Sequence, residues 1–248
     1  APADKFVIAG SGSNLPLTAK LIEAYSAQTG VAIDLPGSIG SGGAVNAVKA
    51  GALELGLISR PLTAAERQAG LKEQPYARVA LVFGAHAATP DSGLASDEVV
   101  AILTGAKTTW SDGTKIYVFV REAQDSSNLV LNRLIPGHAD ALADACRRQR
   151  WQIIYRDSDM ADILRATKGA FGIVNSTDIA AGGIRPFALD GVAPTPENVR
   201  TGRYRLSKDL AFVYKEPLTD RAERFLAFVF SPAGGRIIEK WGATPLGR

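Results

Sequence analysis

Three short turns rich in glycine, serine and other small polar residues could bind an anion. They span residues 10–14 (GSGSN), 37–43 (GSIGSGG) and 121–127 (REAQDSS), and each lies between a predicted strand and a predicted helix. Such turns present hydroxyls and backbone N–H groups at a helix N-terminus, where about half a positive charge is concentrated. The pattern predicts a site for a small anion.

A glycine-rich turn also has a simpler interpretation. Either of the first two turns, taken alone, fits a tight turn with no ligand. Three such turns together favour binding, because strand ends in a parallel α/β sheet meet at one edge, where ligands are bound in a crevice.

Several kinds of catalytic or nucleotide site are not supported by these turns. Residues 40–45 lack the Lys-Ser/Thr pair of a phosphate-cradling P-loop, and residues 10–15 lack the last small residue of the dinucleotide fingerprint. No Gly-x-Ser-x-Gly surrounds any of these serines, and neither His86 nor His138 has an adjacent acidic residue. We therefore expect surface or loop positions for both histidines, and hydrolysis of a phosphoester is kept only as an alternative.

The elements that position these turns alternate along the chain. Apolar β-type segments and segments of helical period follow one another, which predicts an α/β fold with a largely parallel sheet. Gly30 is expected to end the first helix, and Thr63 with Glu66 forms a predicted capping box. The predicted strands are 5–9, 31–35, 53–58, 78–84, 115–120, 153–155, 169–174 and 209–215, and the predicted helices are 17–29, 44–50, 64–70, 96–103, 127–134, 139–150, 158–167, 221–230 and 232–240.

Composition narrows the class of protein further. The 248 residues are 46% hydrophobic and 21% charged with a net charge of +3, as in an ordinary globular protein without a nucleic-acid-binding face. A single cysteine, Cys146, excludes an internal disulfide, and two histidines give no zinc-ligand cluster. No apolar run approaches the ~18–20 residues of a membrane span. The small residues 1–4 (APAD) lead us to expect an exported chain whose signal has been removed.

Four further motifs carry a family resemblance. They are residues 168–174 (KGAFGIV), 190–199 (DGVAPTPENV), 201–206 (TGRYRL) and 231–235 (SPAGG). Together with the turns, they resemble the periplasmic phosphate-binding proteins of ABC transporters over nearly the whole chain. The resemblance implies a two-lobed type II binding-protein fold, each lobe a mainly parallel sheet flanked by helices. Lobe 1 is expected to comprise residues 1–83 and 208–248, and lobe 2 residues 84–207.

The same resemblance implies a set of ligand-binding residues. In similar proteins the first turn, the second turn and the segment 58–62 of lobe 1 contact the anion, as does an Arg-x-x-x-Ser-Gly-Thr motif in lobe 2. This chain keeps the arginine but has Asp125 and Ser126 where the family has serine and glycine. The matching positions are Ser13, Asn14, Leu15, Ser41, Ser59, Arg121, Asp125, Ser126 and Ser127.

Asp125 admits two interpretations. Hydrogen phosphate carries a proton that needs an acceptor, whereas sulfate carries none, so Asp125 could select phosphate. Alternatively, Asp125 is an N-cap that binds the N–H groups of its own helix. Arg60 is similarly open, as a surface residue beside Pro61 or as a cleft residue.

The expected function is capture of an inorganic oxyanion, phosphate first, in a cleft between the lobes, with closure about a hinge and delivery to a membrane permease. The expected protein is an extracytoplasmic monomer and not an enzyme, with no cofactor, metal or nucleic-acid partner. The alternatives are another oxyanion or a phosphonate, a sensor with the same fold, and the phosphoester hydrolase mentioned above.

Overall fold

The computed structural model describes residues 6–247, so Lys5 of the first predicted strand and the N-terminal residues 1–4 lie outside the described part. The strands are β1 (Phe6–Gly10), β2 (Ile33–Asp34), β3 (Leu55–Ile58), β4 (Leu71–His86), β5 (Gly93–Leu94), β6 (Tyr117–Arg121), β7 (Gln152–Ile154), β8 (Ala170–Asn175), β9 (Ile184–Pro186), β10 (Ala188–Leu189), β11 (Ser207–Lys215) and β12 (Thr244–Pro245). The helices are α1 (Leu15–Thr29), α2 (Gly40–Lys49), α3 (Ala64–Gln68), α4 (Ser96–Thr104), α5 (Ser126–Leu134), α6 (His138–Arg147), α7 (Asp157–Ala166), α8 (Ser176–Ala180), α9 (Pro196–Arg200), α10 (Asp220–Val229) and α11 (Pro232–Lys240).

The chain forms two units. Unit 1 contains the residues up to Arg78 and those from Asp209 onward, and unit 2 is Val79–Lys208. From the sequence, the chain is expected to pass from lobe 1 to lobe 2 between residues 83 and 84 and to return to lobe 1 between residues 207 and 208. In the structure the first boundary, between Arg78 and Val79, lies inside β4, which runs unbroken from Leu71 to His86. No turn or linker composition therefore marks this boundary in the sequence.

The sheet of unit 1 contains β2, β1, β3 and β11 in that order. Strands β2 and β3 run parallel to β1, whereas β11 runs antiparallel to β3 and β12 antiparallel to the first part of β4. Phe225 of α10 packs edge-on against Tyr25 and Phe212, with ring centroids 5.3 and 6.0 Å away. This aromatic cluster joins helices α1 and α10 to the sheet.

The sheet of unit 2 contains β4, β8, β6 and β7 in that order. Strands β7 and β8 are parallel to β6, but β4 is antiparallel to β8 and β9 is antiparallel to β4. Phe83 stacks on Phe171, and Trp110 stacks on Phe187 with centroids 5.2 Å apart. Met160 is fully buried in this core.

The parallel pairing expected in each lobe is present in β2, β1 and β3 of unit 1 and in β8, β6 and β7 of unit 2. Strands β4, β9, β11 and β12 run antiparallel to their neighbours in these sheets. Each unit is therefore a mixed sheet flanked by helices.

Local signals placed most elements well. Gly30 ends α1 in the left-handed conformation with φ of 73°, and Thr63 and Glu66 form the predicted capping box of α3. The second turn is shorter than predicted, because α2 begins at Gly40 instead of Ala44. Helix α7 begins at Asp157, one residue before its predicted start at Ser158. The short elements that were not predicted, each of two to five residues, are too brief to show a hydrophobic period: β5, α8, β9, β10, α9 and β12.

Among residues 6–247, no helix has the length and apolar composition that a membrane span requires.

Candidate functional site

In unit 1, the carboxyl ends of β1 and β3 lie side by side. Gly10 permits this close approach, because a Cβ there would lie 2.1 Å from the carbonyl oxygen of Leu57. The next residue, Ser11, donates its backbone N–H to the same oxygen at 2.9 Å. The segments that follow β1 and β3 are thereby held together by backbone contacts.

A cluster of serine hydroxyls lies at these strand ends. The Oγ atoms of Ser11 and Ser59 are 2.7 Å apart, and both residues are buried. The backbone N–H of Ser59 donates to Ser41 Oγ at 3.1 Å. Two loops and the first turn of α2, far apart in sequence, thus bring these polar groups together. Ser11 was not among the sequence-predicted site residues, because the family resemblance pointed to Ser13.

Residues 12–14 form a 3₁₀ turn that leads into α1. Ser13 and Asn14 are buried, and the N–H of Leu15 donates to the carbonyl of Gly12 within this turn. Asn14 Nδ2 donates to the hydroxyl of Tyr76 at 3.3 Å. The Asn14 side chain, 0% exposed, is therefore held by the interior of unit 1, and its Oδ1 has no hydrogen-bond partner among the described residues.

Tyr76 was missed by sequence reasoning. Its hydroxyl lies 3.1 Å from Thr18 Oγ1, and complete burial raises its pKa to about 12. The phenol is therefore neutral at ordinary pH, and its oxygen accepts the hydrogen bond from Asn14 Nδ2. No sequence spacing relates position 76 to position 14.

Arg60 belongs to the α3 cap. Its Nη1 and Nη2 donate to the two carboxylate oxygens of Glu66, both at 2.8 Å. The hydrogen bond from Arg60 lowers the pKa of Glu66 to about 2. Arg60 is half-buried, and its guanidinium is engaged by Glu66.

In unit 2, Arg121 ends β6 and is only 5% exposed. Its Nη2 donates to Asp125 Oδ2 at 2.9 Å and to Asp157 Oδ2 at 3.2 Å. Its Nη1 donates to the carbonyl of Ile154 at 2.9 Å. The guanidinium fork that the sequence predicted for an oxyanion is thus engaged with carboxylates of the protein itself.

Asp125 caps helix α5. Its Oδ1 accepts the N–H of Ser127 at 2.8 Å, and its Oδ2 accepts from Arg121. Burial raises the pKa of Asp125, but the positive charges of Lys208 and Arg121 outweigh this effect, and the pKa lies below its usual value. The capping geometry considered from the sequence is therefore present, with the carboxylate ionised and both oxygens occupied.

Lys208 contacts the serines at the start of α5. Its Nζ donates to Ser126 Oγ at 3.0 Å and to Ser127 Oγ at 3.1 Å, and the lysine is 6% exposed. Burial lowers the pKa of Lys208, while the charges of Asp125 and Asp157 act in the opposite direction. No pattern in the sequence indicates this contact, because more than eighty residues separate the partners.

Asp178 is a further buried acidic residue of unit 2. Burial, assisted by the charge of Asp157, raises the pKa of Asp178 to about 6. Its Oδ2 accepts the N–H of Asn175 at 3.0 Å, and Asn175 Nδ2 donates to Asp157 Oδ1 at 3.4 Å. We refer to Arg121, Asp125, Asp157, Asp178 and Lys208 as the unit 2 ionic cluster.

The prediction of a surface or loop position for His138 was wrong. His138 opens α6 and is 2% exposed, with Nδ1 2.7 Å from Asn132 Oδ1. Burial lowers its pKa to about 4. Across the described part of the chain, no group of three or more histidine, cysteine or acidic side chains could hold a metal ion.

Comparisons with known proteins agree with this architecture. A family profile described as "PBP superfamily domain" matches residues 1–233. A curated relative, the phosphate-binding protein PstS of Borreliella burgdorferi, is 23% identical over 252 aligned positions, which cover 95% of this chain and 88% of the relative.

Two solved structures extend the comparison. One, from Clostridium perfringens, is described as a phosphate ABC transporter substrate-binding protein with bound phosphate. It is 26% identical with a TM-score of 0.81, over 98% of this chain and 100% of that one. The periplasmic molybdate-binding protein of Azotobacter vinelandii is 16% identical with a TM-score of 0.68, over 98% and 100%. At that identity the second likeness concerns the fold alone.

Proposed function

The chain belongs to the PBP superfamily, and from this membership we propose that it is an extracytoplasmic solute-binding protein that captures inorganic phosphate for an ABC transporter. Its relatives include proteins named for phosphate binding, one of them with phosphate bound. In this role the protein binds and releases the anion without transforming it, and a membrane permease receives the anion.

The serine cluster of unit 1 is the observation that carries the proposal. Ser59 joins the cluster, because its hydroxyl contacts that of Ser11 and its N–H donates to Ser41 Oγ in the first turn of α2. A tetrahedral oxyanion accepts several hydrogen bonds from different directions, which converging hydroxyls and helix N-termini supply. Neutral donors of this kind suit reversible binding, since they avoid the strong attraction of several cations.

We retain the sequence-predicted residues as the proposed contacts. Direct donation is proposed chiefly for hydroxyl and backbone N–H groups, because the carboxylate of Asp125 and the guanidinium of Arg121 already pair with each other. The set is Ser13, Asn14, Leu15, Ser41 and Ser59 in unit 1, and Arg121, Asp125, Ser126 and Ser127 in unit 2.

One observation favours a second candidate, a fully ionised oxyanion such as sulfate or molybdate. Both carboxylate oxygens of Asp125 are occupied by N–H donors, so this group offers little to the proton of hydrogen phosphate. Discrimination for phosphate would then depend on hydroxyl oxygens as acceptors, which neutral serines provide less strongly than a carboxylate.

Calorimetric titration tests the proposal. The protein is unfolded and refolded to remove any bound anion, then titrated in turn with phosphate, sulfate, arsenate, molybdate and a phosphonate. We expect phosphate to bind with a Kd of about 1 μM or lower and sulfate to give no heat. Binding of sulfate or molybdate alone would support the second candidate.

A pair of serine variants links the binding to the cluster. Ser41→Ala removes the acceptor of the Ser59 N–H, and we expect weaker phosphate binding. Ser158→Ala changes an exposed serine on α7 and should bind like the wild type. A phosphatase assay on the same proteins covers the catalytic alternative: turnover that Ser41→Ala abolishes would contradict a purely binding role.

A further inference from the structure

We propose that Lys208 is a positioning and specificity-determining residue, which orients the hydroxyls of Ser126 and Ser127 as donors to the bound oxyanion. The inference rests on the proposed function, and it adds a residue that neither the family motifs nor the spacing of the chain assigns. Lys208 is the last residue of unit 2 and lies in β11, whereas the two serines open α5.

The direction of the hydrogen bonds supports this role. An ammonium group has three donors and no lone pair, so each serine hydroxyl must accept from Lys208 Nζ. A hydroxyl has only one proton, and an oxygen that accepts from a cation donates that proton to a third group. Donation from a polarised hydroxyl is also stronger, because successive hydrogen bonds reinforce each other.

Position along the helix supports it as well. Ser126 and Ser127 occupy the first turn of α5, where the backbone already favours a negative charge. Ser126 is partly exposed, whereas Lys208 behind it is buried. The lysine therefore does not reach solvent itself and acts on an anion through the hydroxyls.

The charges of the unit 2 ionic cluster explain why a lysine is needed. Compared with the family motif, this chain carries an additional carboxylate, Asp125, at the start of α5. Arg121 already pairs with Asp125 and Asp157, so it offsets their charge incompletely. Lys208 adds the second cation of the cluster, which lessens the repulsion that an incoming anion would meet.

The test measures phosphate binding by calorimetry for wild type, Lys208→Met, Lys208→Arg and the double variant Ser126→Ala/Ser127→Ala. Lys208→Met keeps the length of the side chain without its charge or donors. We expect it to weaken phosphate binding about tenfold or more, a loss of about 1.4 kcal/mol. Lys208→Arg should restore most of the affinity. The control Lys215→Met changes an exposed lysine on the same strand and should bind like the wild type.

A double-mutant cycle separates positioning from a general effect on the fold. If Lys208 acts through the hydroxyls, Lys208→Met should weaken phosphate affinity less than threefold in the Ser126→Ala/Ser127→Ala background. Circular dichroism should show that all variants are folded. An undiminished loss in that background overturns the proposal, as does wild-type affinity in Lys208→Met. If Lys208→Met does not fold, Lys208→Gln is taken through the same cycle: a loss of about tenfold that disappears in the Ser126→Ala/Ser127→Ala background supports the role, and unchanged affinity refutes it.

The outcomes also distinguish this inference from the proposed function. Wild-type protein that binds another oxyanion is taken through the same variants with that anion. Wild-type protein that binds none of the five anions overturns both the function and the role of Lys208. Tight wild-type binding that Lys208→Met leaves unchanged overturns the role of Lys208 alone.

Discussion

The guanidinium of Arg121 donates to a single carboxylate oxygen of Asp125, from Nη2 at 2.9 Å and from Nε at 3.2 Å. Both residues stand in the motif that the family uses for its anion, four positions apart. The pair links the end of β6 to the cap of α5, so the shape of this loop depends on the same groups that were expected to bind the ligand.

Arg121→Ala should destabilise unit 2 as well as weaken anion binding. The substitution removes the buried cation that pairs directly with Asp125 and Asp157, and breaking a buried ion pair typically costs about 3–5 kcal/mol. Urea unfolding measures the loss, with Arg156→Ala as the control, since Arg156 forms an exposed pair with Asp159. A variant as stable as the wild type would show that the Arg121 pairs contribute little.

Asp125→Asn should bind phosphate more tightly than the wild type. Asparagine remains a good N-cap, so the start of α5 is preserved, while one negative charge near the proposed contacts is removed. We expect a gain of roughly tenfold in affinity at pH 7, about 1.4 kcal/mol by calorimetry. Weaker binding with poorer rejection of sulfate would instead identify Asp125 as the acceptor of the phosphate proton.

His138 should make the protein less stable in mild acid. Its folded pKa of about 4 is below the unfolded value of about 6.5, so the unfolded chain binds more protons between these pH values. The contribution of neutral His138 to the free energy of unfolding is fully present above pH 6.5. It is lost as the pH falls towards 4, and the total loss is on the order of 3 kcal/mol. Urea unfolding between pH 4 and 7.5 should therefore show that the free energy of unfolding falls more steeply with decreasing pH for wild type than for His138→Gln.

Asp178 acts in the opposite direction over part of this range. Its folded pKa of about 6 exceeds the usual aspartate value of 3.8, so the folded state binds more protons between those pH values and gains stability as the pH falls. Because Asp178 is present in both proteins, the difference between wild type and His138→Gln isolates the histidine. Identical pH profiles for the two would contradict the prediction.

Gly10→Ala should disrupt the junction of β1 and β3. The added Cβ would meet the Leu57 carbonyl at 2.1 Å, and backbone atoms on both sides prevent easy relief. We expect a loss of about 3 kcal/mol in the free energy of unfolding, together with weaker phosphate binding, because Ser11 and Ser59 would separate. Gly37→Ala is the control, since nothing lies within 4 Å of a Cβ at that position. Equal stability of the two variants would argue against close strand contact.

Much of the fold was predictable from the sequence because its signals are local. The alternation of strands and helices follows hydrophobic period, and Gly30, Thr63 and Glu66 act within one turn of their own helices. The beginning of α2 was predicted too late, because the glycines at its start disfavour a helix. Packing of Val45 and Val48 in the core of unit 1 stabilises the helix despite these glycines. The direction of β4 and β11 was also missed, since pairing partners are not encoded by the period of a strand.

For the candidate site, the sequence by itself determined the small hydroxyl-bearing residues in the turns, the family motifs and the arginine at the end of β6. The tertiary structure alone decided that Ser11 meets Ser59, that Arg121 is engaged by two aspartates, that His138 is buried and that Lys208 supports Ser126 and Ser127. The physical reason is that a helix cap or turn depends on neighbours within a few residues. A buried charge, by contrast, is stabilised only by groups that packing brings to it, and no local pattern specifies which distant residue will be its partner.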